Sequence, residues 1–325
     1  MARVLVTGGA GFIGAAMAEH LRRTFPELMV RVLDLHPCPV QGVDSRVGSI
    51  LDISHVSAAL RGCDYVIHLA ALLGVKRTDS QPMKCLHINV QGTLNVLEEC
   101  VKNGVKKIVF ASSSEVYGEQ ATQPISESSP LNPRSVYAVS KLTGEEYVRA
   151  YHQRYGLNYT IMRPFNVYGP RQVAEFVVPR FIKAVLSNKP PTIYDSGRQV
   201  RAFCYVDDAM HGIALALFTE GANGEVLNIG NPQEPISVRD LAYKVIALGH
   251  KQLEPVLVPF EQAGRSLERD REIFARIPDI SKATRLIGYA PTVSLTEGLS
   301  RIMQHGQIEE TRWEPLEWQA EHVPS

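Results

Sequence analysis

Tyr137 and Lys141 lie four residues apart, so on a helix both side chains project from the same face. A phenol is a poor base at its ordinary pKa of about 10, but a neighbouring ammonium favours the phenolate and lowers that pKa. The pair can then take a proton from a substrate hydroxyl. A core tyrosine beside a solvated lysine would show the same spacing, so the surrounding residues must decide between the two.

Ser113, Ser114 and Glu115 form a second group of reactive side chains, directly after the apolar run 107–110. That run predicts a buried strand whose carboxyl end brings the three residues to one place. Hydroxyls can hold a substrate oxygen, and a carboxylate can move a proton at a neighbouring carbon. The alternatives are structural: the serines cap a turn, and Glu115 caps a helix or pairs with Arg134.

The glycine-rich segment 7–14 is the third signal. It lies between an apolar strand predicted at 4–6 and a helix predicted at 15–23, the context that a dinucleotide-binding turn requires. Such glycines allow a tight turn and let a pyrophosphate approach the helix N-terminus. Gly9, Gly11 and Gly14 fit the pattern G-x-G-x-x-G. Gly8, Gly11 and Gly14 also fit the wider pattern G-x-x-G-x-x-G.

Carboxylates after the next strands extend this predicted site. Asp34 ends a strand predicted at 30–34, where a carboxylate accepts hydrogen bonds from ribose hydroxyls and repels a 2′-phosphate. This favours NAD over NADP. Asp52, followed by Ile53, lies where a carboxylate can meet an adenine amino group, although a helix N-cap explains it equally well.

Predicted strands and helices alternate through this half of the chain. Residues 65–71 predict a buried strand, with His68 interpreted as a core histidine, and a helix is predicted at 89–103 after a break at Pro82. The alternation predicts an α/β fold, a Rossmann-type doubly wound parallel sheet with ligands at the carboxyl ends of its strands. A flat cofactor can lie close to the small residues that end the 65–71 strand, Ala70 and Ala71.

The composition fits a globular enzyme and argues against other classes. The 325 residues are 45% hydrophobic and 21% charged, and 34 basic residues balance 34 acidic ones, so no broad field attracts nucleic acid or an anionic membrane. No apolar run reaches membrane-spanning length, and the N-terminus is unlike a secretory signal. The five scattered cysteines lack CxxC spacing, which predicts a cytoplasmic protein without a metal site or disulfides.

Several segments in a fixed order resemble the extended short-chain dehydrogenases/reductases, in the branch of nucleotide-sugar epimerases, dehydratases and decarboxylases. The resemblance covers roughly residues 3–303. It implies a bound NAD, a nucleotide-diphosphate sugar as substrate with a UDP-sugar favoured, and a homodimer packed through helices beside the active site. The matching segments are 7–14, 68–71, 89–93, 112–114 and 137–141.

The resemblance also implies a role for each reactive residue. Tyr137 takes the proton of the sugar 4-hydroxyl while hydride passes to NAD, and the nicotinamide cation joins Lys141 in lowering the pKa of the phenol. Lys141 also holds the nicotinamide ribose, and Ser113 holds the 4-oxygen. The implied NAD contacts are Gly8, Gly11, Phe12, Ile13, Gly14, Asp34, Asp52, Ile53, Leu69, Ala70, Ala71, Asn89, Tyr137, Lys141 and Pro164.

The C-terminal half resembles the part of the family that binds the substrate. Asn166 is expected to meet the phosphates, and Arg201 and Arg276 the diphosphate and sugar, because guanidinium groups bind phosphate oxygens bidentately. The segments that resemble the nucleobase site contribute Val178, Arg180, Thr192 and Tyr194.

Prolines become frequent in the C-terminal half and break it into short elements, which predicts a smaller substrate-binding lobe. We expect the NAD-binding domain to comprise residues 1–170 and about 203–230. The lobe then comprises 171–202 and 231–305, and the tail 306–325 has no matched role.

Glu115 bears on which sugar reaction follows oxidation at C4. Plain 4-epimerases of the family usually have a small residue there, and 4,6-dehydratases have an Asp where this chain has Ser114. The Ser-Ser-Glu triplet most resembles UDP-glucuronate decarboxylases, although those commonly have Thr at the position of Ser113, and the loop 72–78 is closer to epimerases. We therefore favour decarboxylation of a UDP-uronic acid with Glu115 acting at C5.

Other functions stay open at this point. The first alternative is a nucleotide-sugar 4-epimerase, and the next is a 4,6-dehydratase. A catalytically silent NAD-binding regulator belongs to a different class, and it need not keep Tyr137 or Lys141.

Overall fold

The computed structural model describes residues 1–263 and 272–306. Its main element is a seven-stranded sheet in which every neighbouring pair is parallel. The strand order is β11-β6-β5-β4-β1-β2-β3, so the order reverses between β1 and β4. The predicted Rossmann-type sheet is thus confirmed. Its strands are β1 (Arg3–Thr7), β2 (Met29–Asp34), β3 (Asp44–Val47), β4 (Tyr65–His68), β5 (Lys107–Ala111), β6 (Asn158–Pro164) and β11 (Glu225–Ile229).

Helices cover both faces of this sheet. Because the side chains of a strand alternate, Val4 and Val6 in β1 enter one core while Leu5 enters the other. Helices α1 and α8 pack together, as do α2, α5 and α6. The helices are α1 (Phe12–Thr24), α2 (Ile53–Leu60), α3 (Val75–Ser80), α4 (Pro82–Leu86), α5 (Gly92–Lys102), α6 (Val136–Tyr155), α7 (Val177–Leu186), α8 (Val206–Phe218), α9 (Val238–Leu248), α10 (Ser281–Ile287) and α11 (Leu295–His305).

One predicted helix boundary is wrong. The helix expected to start at Asn89 begins instead at Pro82, because proline is tolerated in a first helical turn, where its missing N–H needs no partner. The π-helical turn His87–Gln91 joins α4 to α5. The helix ends at Lys102, one residue before the predicted Asn103.

Among the described residues, strands that come after β6 in sequence also form three small sheets. β9 lies between β12 and β14, β8 pairs with β13, and β7 pairs with β10. The predicted division into a cofactor domain and a substrate lobe stays a prediction, and residues 307–325 of the expected tail lie outside the described part of the chain. The strands are β7 (Val167–Tyr168), β8 (Thr192–Tyr194), β9 (Val200–Ala202), β10 (Cys204–Tyr205), β12 (Pro235–Ser237), β13 (Val256–Val258) and β14 (Ala275–Arg276).

Two further observations concern membranes and metals. Within residues 1–263 and 272–306, no helix is both long enough and apolar enough to cross a membrane. Over the same residues, no cluster of three or more histidine, cysteine or acidic side chains is arranged to hold a metal ion. All five cysteines are free thiols.

His68 in β4 is a core residue, as predicted. One ring nitrogen lies 2.7 Å from the Thr7 hydroxyl and the other 3.1 Å from the Thr93 hydroxyl. Burial lowers the pKa of His68 from its ordinary value of 6.5 to about 3.

This buried histidine should reduce the stability of the protein in acid. Below about pH 6.5 the unfolded chain binds a proton at His68, while in the folded chain the His68 ring stays neutral until about pH 3. The free energy of unfolding therefore falls as pH falls through this window. Denaturant unfolding at a series of pH values gives the slope of the free energy of unfolding against pH. In His68→Gln this slope should be shallower by the equivalent of about one proton. Equal slopes in the two proteins would contradict this.

Candidate active site

The glycine-rich turn connects β1 to α1 and touches the end of β4. Gly8 has a φ of +74°, and a Cβ there would lie 2.8 Å from the Ala70 backbone. A Cβ at Gly14 would lie 2.0 Å from the Gly8 carbonyl oxygen, so this position accepts only glycine. A Cβ at Gly11 would meet nothing closer than 3.4 Å. Gly8 and Gly14 therefore serve the packing of the turn, and Gly11 leaves space beside it.

The space beside Gly11 fits an anionic group. Gly11 is the N-cap of α1, and because glycine has no side chain it makes no capping hydrogen bond to the first N–H groups of that helix. The Thr7 hydroxyl accepts hydrogen bonds from the N–H groups of Leu69 and Ala70, both at 3.2 Å, which fixes the end of β4 against the turn. A pyrophosphate with a flat cofactor fits these features.

Asp34 and Asp52 differ in their surroundings. The Asp34 carboxylate accepts from the N–H of Ala10 at 3.0 Å and of His36 at 3.1 Å, which holds it beside the glycine turn with lone pairs left for ribose hydroxyls. Asp52 is the N-cap of α2 and accepts from the N–H of Ser54 at 2.8 Å. The cap, one of the two sequence interpretations of Asp52, is thus present.

Asn89 is a buried residue that joins a loop to a helix near the site. Its amide donates to the Leu72 carbonyl at 3.1 Å and to the Ser140 hydroxyl at 2.9 Å, and its oxygen accepts from the Leu72 N–H at 2.7 Å. The side chain thereby fixes the loop after β4 to α6.

Tyr137 and Lys141 share one face of α6, as their spacing predicts. The Lys141 ammonium donates to the Ala111 carbonyl at 2.8 Å, at the end of β5, and lies 5.8 Å from the centre of the Tyr137 ring. The Ser113 hydroxyl lies close enough to the Tyr137 phenol to lower its pKa. The three side chains therefore converge at the carboxyl end of β5.

The electrostatics of the pair differ from the expectation. Burial raises the pKa of Tyr137 above its ordinary value, the Glu115 carboxylate raises it further, and only the Ser113 hydroxyl opposes them. The predicted lowering is therefore wrong for the site formed by the chain's own residues, since desolvation of the phenolate is the dominant cause. Burial also lowers the pKa of Lys141 to about 8.

Glu115 lies on a 3₁₀ turn, Ser114–Tyr117, between β5 and α6. Its carboxylate accepts from the Ser135 hydroxyl at 3.1 Å, and that hydroxyl also caps α6 by accepting from the Ala138 N–H at 3.1 Å. The Arg134 alternative is not realised, because Arg134 donates to the Glu272 carbonyl instead. The carboxylate thus lies at the N-terminus of the helix that carries Tyr137. Sequence reasoning missed Ser135, although a serine two residues before a helical tyrosine is an N-cap signal.

Arg201 and Arg276 lie opposite each other on neighbouring strands, β9 and β14. Burial, and next the charge of Arg276, lowers the pKa of Arg201 to about 9. Burial also lowers the pKa of Arg276, the Glu115 charge acts against this, and the buried Arg276 Nε has no hydrogen-bond partner among the described residues. Two adjacent half-buried guanidinium groups repel each other, so a doubly charged anion between them would be favourable.

The other predicted substrate residues fall into separate groups. Arg180 in α7 stacks over the Tyr194 ring at 4.6 Å. The Val178 side chain is only 1% exposed and belongs to the main core, which leaves no side-chain surface for a ligand. Asn166, at a φ of +40°, donates to the Ala202 carbonyl at 3.2 Å. The remaining predicted positions are Phe12 and Ile13 in the first turn of α1, Ile53 at the start of α2, Ala71 after β4, Pro164 at the end of β6, Thr192 in β8 and the buried Ser114.

Comparisons with known proteins identify the family of the chain. Residues 4–230 match the NAD dependent epimerase/dehydratase family. The chain is 37% identical to the UDP-N-acetyl-alpha-D-glucosaminuronate decarboxylase of Bacillus cytotoxicus, over 93% of this chain and 97% of that protein.

Two solved structures are similar over nearly the whole chain. The UDP-glucose 4-epimerase of Thermotoga maritima with UDP-glucose superposes with a TM-score of 0.86 at 32% identity, covering 94% of this chain and 98% of the epimerase. The Thermus thermophilus UDP-glucose 4-epimerase in complex with NAD superposes with a TM-score of 0.84 at 33% identity, covering 93% and 98%. The chain therefore belongs to the NAD-dependent epimerase/dehydratase family, enzymes of the extended short-chain dehydrogenase/reductase type that modify nucleotide sugars.

Proposed function

We propose that this enzyme decarboxylates a UDP-uronic acid to a UDP-pentose. The substrate is UDP-glucuronate or its 2-acetamido counterpart. The observation that carries the proposal is the position of Glu115, close enough to both Tyr137 and Arg276 to change their pKa values. A reaction confined to C4 has no use for a carboxylate there. The similarity to a UDP-N-acetylglucosaminuronate decarboxylase over most of the chain supports the same reaction.

We assign NAD to the space beside Gly11, with its pyrophosphate at the N-terminus of α1 and its adenosine ribose at Asp34. Bound there, NAD would supply the hydride acceptor and donor for C4 of the sugar. Lys141, fixed to the Ala111 carbonyl, is placed to hold the nicotinamide ribose. The Arg201 and Arg276 pair holds the diphosphate of the substrate, and the Arg180 and Tyr194 stack lies at the nucleobase end.

The residues around C4 act on the sugar 4-hydroxyl. Tyr137 takes its proton as the C4 hydrogen leaves with its electron pair, and Ser113 donates a hydrogen bond to the 4-oxygen. When NAD is bound, the positive charge of its nicotinamide ring would favour the phenolate that this step needs, against the burial that raises the pKa of Tyr137. The product of the step is a 4-keto sugar.

The chemistry at C5 follows from that ketone. A C6 carboxylate beside a C4 ketone belongs to a β-keto acid, so the C5–C6 bond breaks, carbon dioxide leaves, and the electron pair becomes a C4 enolate. We assign Glu115 to the proton that must then arrive at C5. Return of the hydride to C4 and of the Tyr137 proton to the 4-oxygen completes a UDP-pentose. The net change is one proton consumed and one carbon dioxide released.

The leading alternative is a UDP-sugar 4-epimerase, in which the 4-keto sugar rotates and is reduced on its other face. The observation that favours it is the similarity to the Thermotoga maritima UDP-glucose 4-epimerase, which nearly equals that to the decarboxylase. Tyr137, Lys141 and Ser113 alone suffice for that reaction. Glu115 would then influence only the charge around Tyr137.

Incubation of the purified enzyme with UDP-sugars separates the two functions. We expect UDP-glucuronate or UDP-N-acetylglucosaminuronate to give carbon dioxide and a UDP-pentose, which liquid chromatography with mass spectrometry identifies by the loss of the carboxylate. A product of unchanged mass from either UDP-uronic acid or UDP-glucose would assign the enzyme as an epimerase and reject decarboxylation.

The glycine turn supplies a separate prediction about NAD. Since a Cβ at Gly11 has room within the protein, Gly11→Ala should fold normally and weaken NAD binding by about tenfold, because the methyl group occupies space assigned to the pyrophosphate. Gly14→Ala should instead lower the melting temperature, because its Cβ meets the Gly8 carbonyl. Calorimetric titration and thermal unfolding measure the two effects. Full NAD affinity in Gly11→Ala would reject the assigned position.

A further inference from the structure

A chain of buried polar contacts starts at Glu145, one helical turn after Lys141 in α6. The Glu145 carboxylate accepts from the Arg163 guanidinium twice, at 2.8 and 2.6 Å, and from the Ser112 hydroxyl at 2.5 Å. Glu145 is 0% and Arg163 2% exposed. This bidentate ion pair joins α6 to β6 and to the residue directly before Ser113.

Tyr117 continues the chain across the carboxyl ends of the strands. The Arg163 Nη1 donates to the Tyr117 hydroxyl at 2.9 Å, and that hydroxyl donates to Asn228 Oδ1 at 2.7 Å. Tyr117 is completely buried, two residues after Glu115, and the Arg163 guanidinium also lies over its ring at 4.8 Å. The hydroxyl thus joins the side chains of the ion pair to that of Asn228, in a strand that also pairs directly with β6 through Arg163.

The far end of this series of polar contacts reaches the segment that directly follows Arg276 in sequence. The Asn228 amide donates to the Ile125 carbonyl at 3.0 Å and to the Asp279 carbonyl at 3.1 Å. Backbone hydrogen bonds from Ile125 to Ile277 and from Asp279 to Ile125, both 2.8 Å, complete the connection. Arg276 is therefore followed in sequence by residues 277–279, which hydrogen bonds to Ile125 and Asn228 hold in place.

We propose that Tyr117 is a positioning residue that sets the distance between the C4 site on α6 and the Arg276 guanidinium of the substrate site. The proposal rests on the function assigned above only in taking Arg276 as a ligand of the UDP-sugar diphosphate. A fully satisfied polar chain in a low-dielectric interior allows one arrangement of its members. Arg276 lies three residues before Asp279, where these contacts end, so their geometry determines where the Arg276 guanidinium holds the diphosphate.

The test is Tyr117→Phe, which removes one oxygen and keeps the buried ring. The loss leaves Arg163 Nη1 and Asn228 Oδ1 without their shared partner, which frees the segment 275–279. In the NAD-loaded enzyme we expect the Kd for UDP and the KM for the UDP-sugar to rise about tenfold, while kcat changes less than about threefold and NAD affinity is unchanged. Amide hydrogen exchange of Ile277 and Asp279 should quicken, whereas that of β1 and β4 should not.

Tyr289→Phe is the matched control. Tyr289 is also fully buried, and its hydroxyl donates to the Gly230 carbonyl at 3.1 Å outside the chain from Glu145 to Asp279. It should leave UDP affinity unchanged. Unchanged UDP affinity and exchange rates in Tyr117→Phe, or a fall in kcat without a rise in KM, would overturn the proposal. UDP binding and exchange do not depend on which sugar reaction occurs, so absence of decarboxylation with UDP still bound would count against the proposed function alone.

Discussion

Replacing Tyr137 by phenylalanine should lower turnover of the nucleotide sugar by about a thousandfold, since the variant keeps the ring but has no group to take the 4-hydroxyl proton. Lys141 cannot substitute, because its ammonium is engaged by the Ala111 carbonyl and carries its proton near neutral pH. The Ser113 hydroxyl cannot substitute either, since a serine hydroxyl is a far weaker acid than a phenol. Initial rates of product formation by chromatography measure the effect.

Binding measurements separate this loss from misfolding. The folded Tyr137→Phe variant should still bind NAD with less than about a tenfold loss of affinity, since the assigned pyrophosphate and ribose contacts lie at Gly11 and Asp34. Tyr155→Phe, at a 57% exposed position in the same helix, should retain full activity. Normal turnover in Tyr137→Phe would reject the assignment of Tyr137 as the base at the sugar 4-hydroxyl. Absence of turnover in the wild-type enzyme with every UDP-sugar would favour the NAD-binding regulator.

The sheet and the C4 site could be predicted because their signals are local. A glycine turn between a strand and a helix has few structural solutions, and the four-residue spacing of Tyr137 and Lys141 fixes their common face within one helix. His68 in a continuous apolar run was for the same reason correctly placed in the core.

The remaining features depend on contacts between distant segments. Arg201 meets Arg276 only through the pairing of β9 with β14, which lie 75 positions apart in sequence, and no residue pattern near either one specifies that register. Tyr117 and Arg163 look in sequence like one aromatic and one basic residue near apolar strands, and only the fold joins them through a hydrogen bond. The pKa of Tyr137 was mispredicted for a related reason, since burial depends on the whole surrounding structure.

Glu115→Gln should reduce release of carbon dioxide from a UDP-uronic acid by about a hundredfold or more, because the amide keeps the shape of the side chain but cannot carry a proton to C5. The Ser135 hydroxyl can still donate to the amide oxygen, so the N-cap of α6 is retained. Oxidation at C4 should persist, and reduced NAD should accumulate measurably by its absorbance. Glu146→Gln, which removes an equal charge at an exposed position of α6, should leave the rate unchanged.

The pH dependence of this variant decides between the two roles of Glu115. Its carboxylate raises the pKa of Tyr137, so removing the charge lowers that pKa and moves the acidic limb of the pH–rate profile to lower pH. If Glu115 acts only through this charge, as in an epimerase, Glu115→Gln should be faster than the wild-type enzyme on that limb. If Glu115 delivers the C5 proton, the variant should be slower at every pH despite the shifted limb. A rate gain in acid without loss at the optimum would therefore reject the proposed role and with it the main argument for decarboxylation.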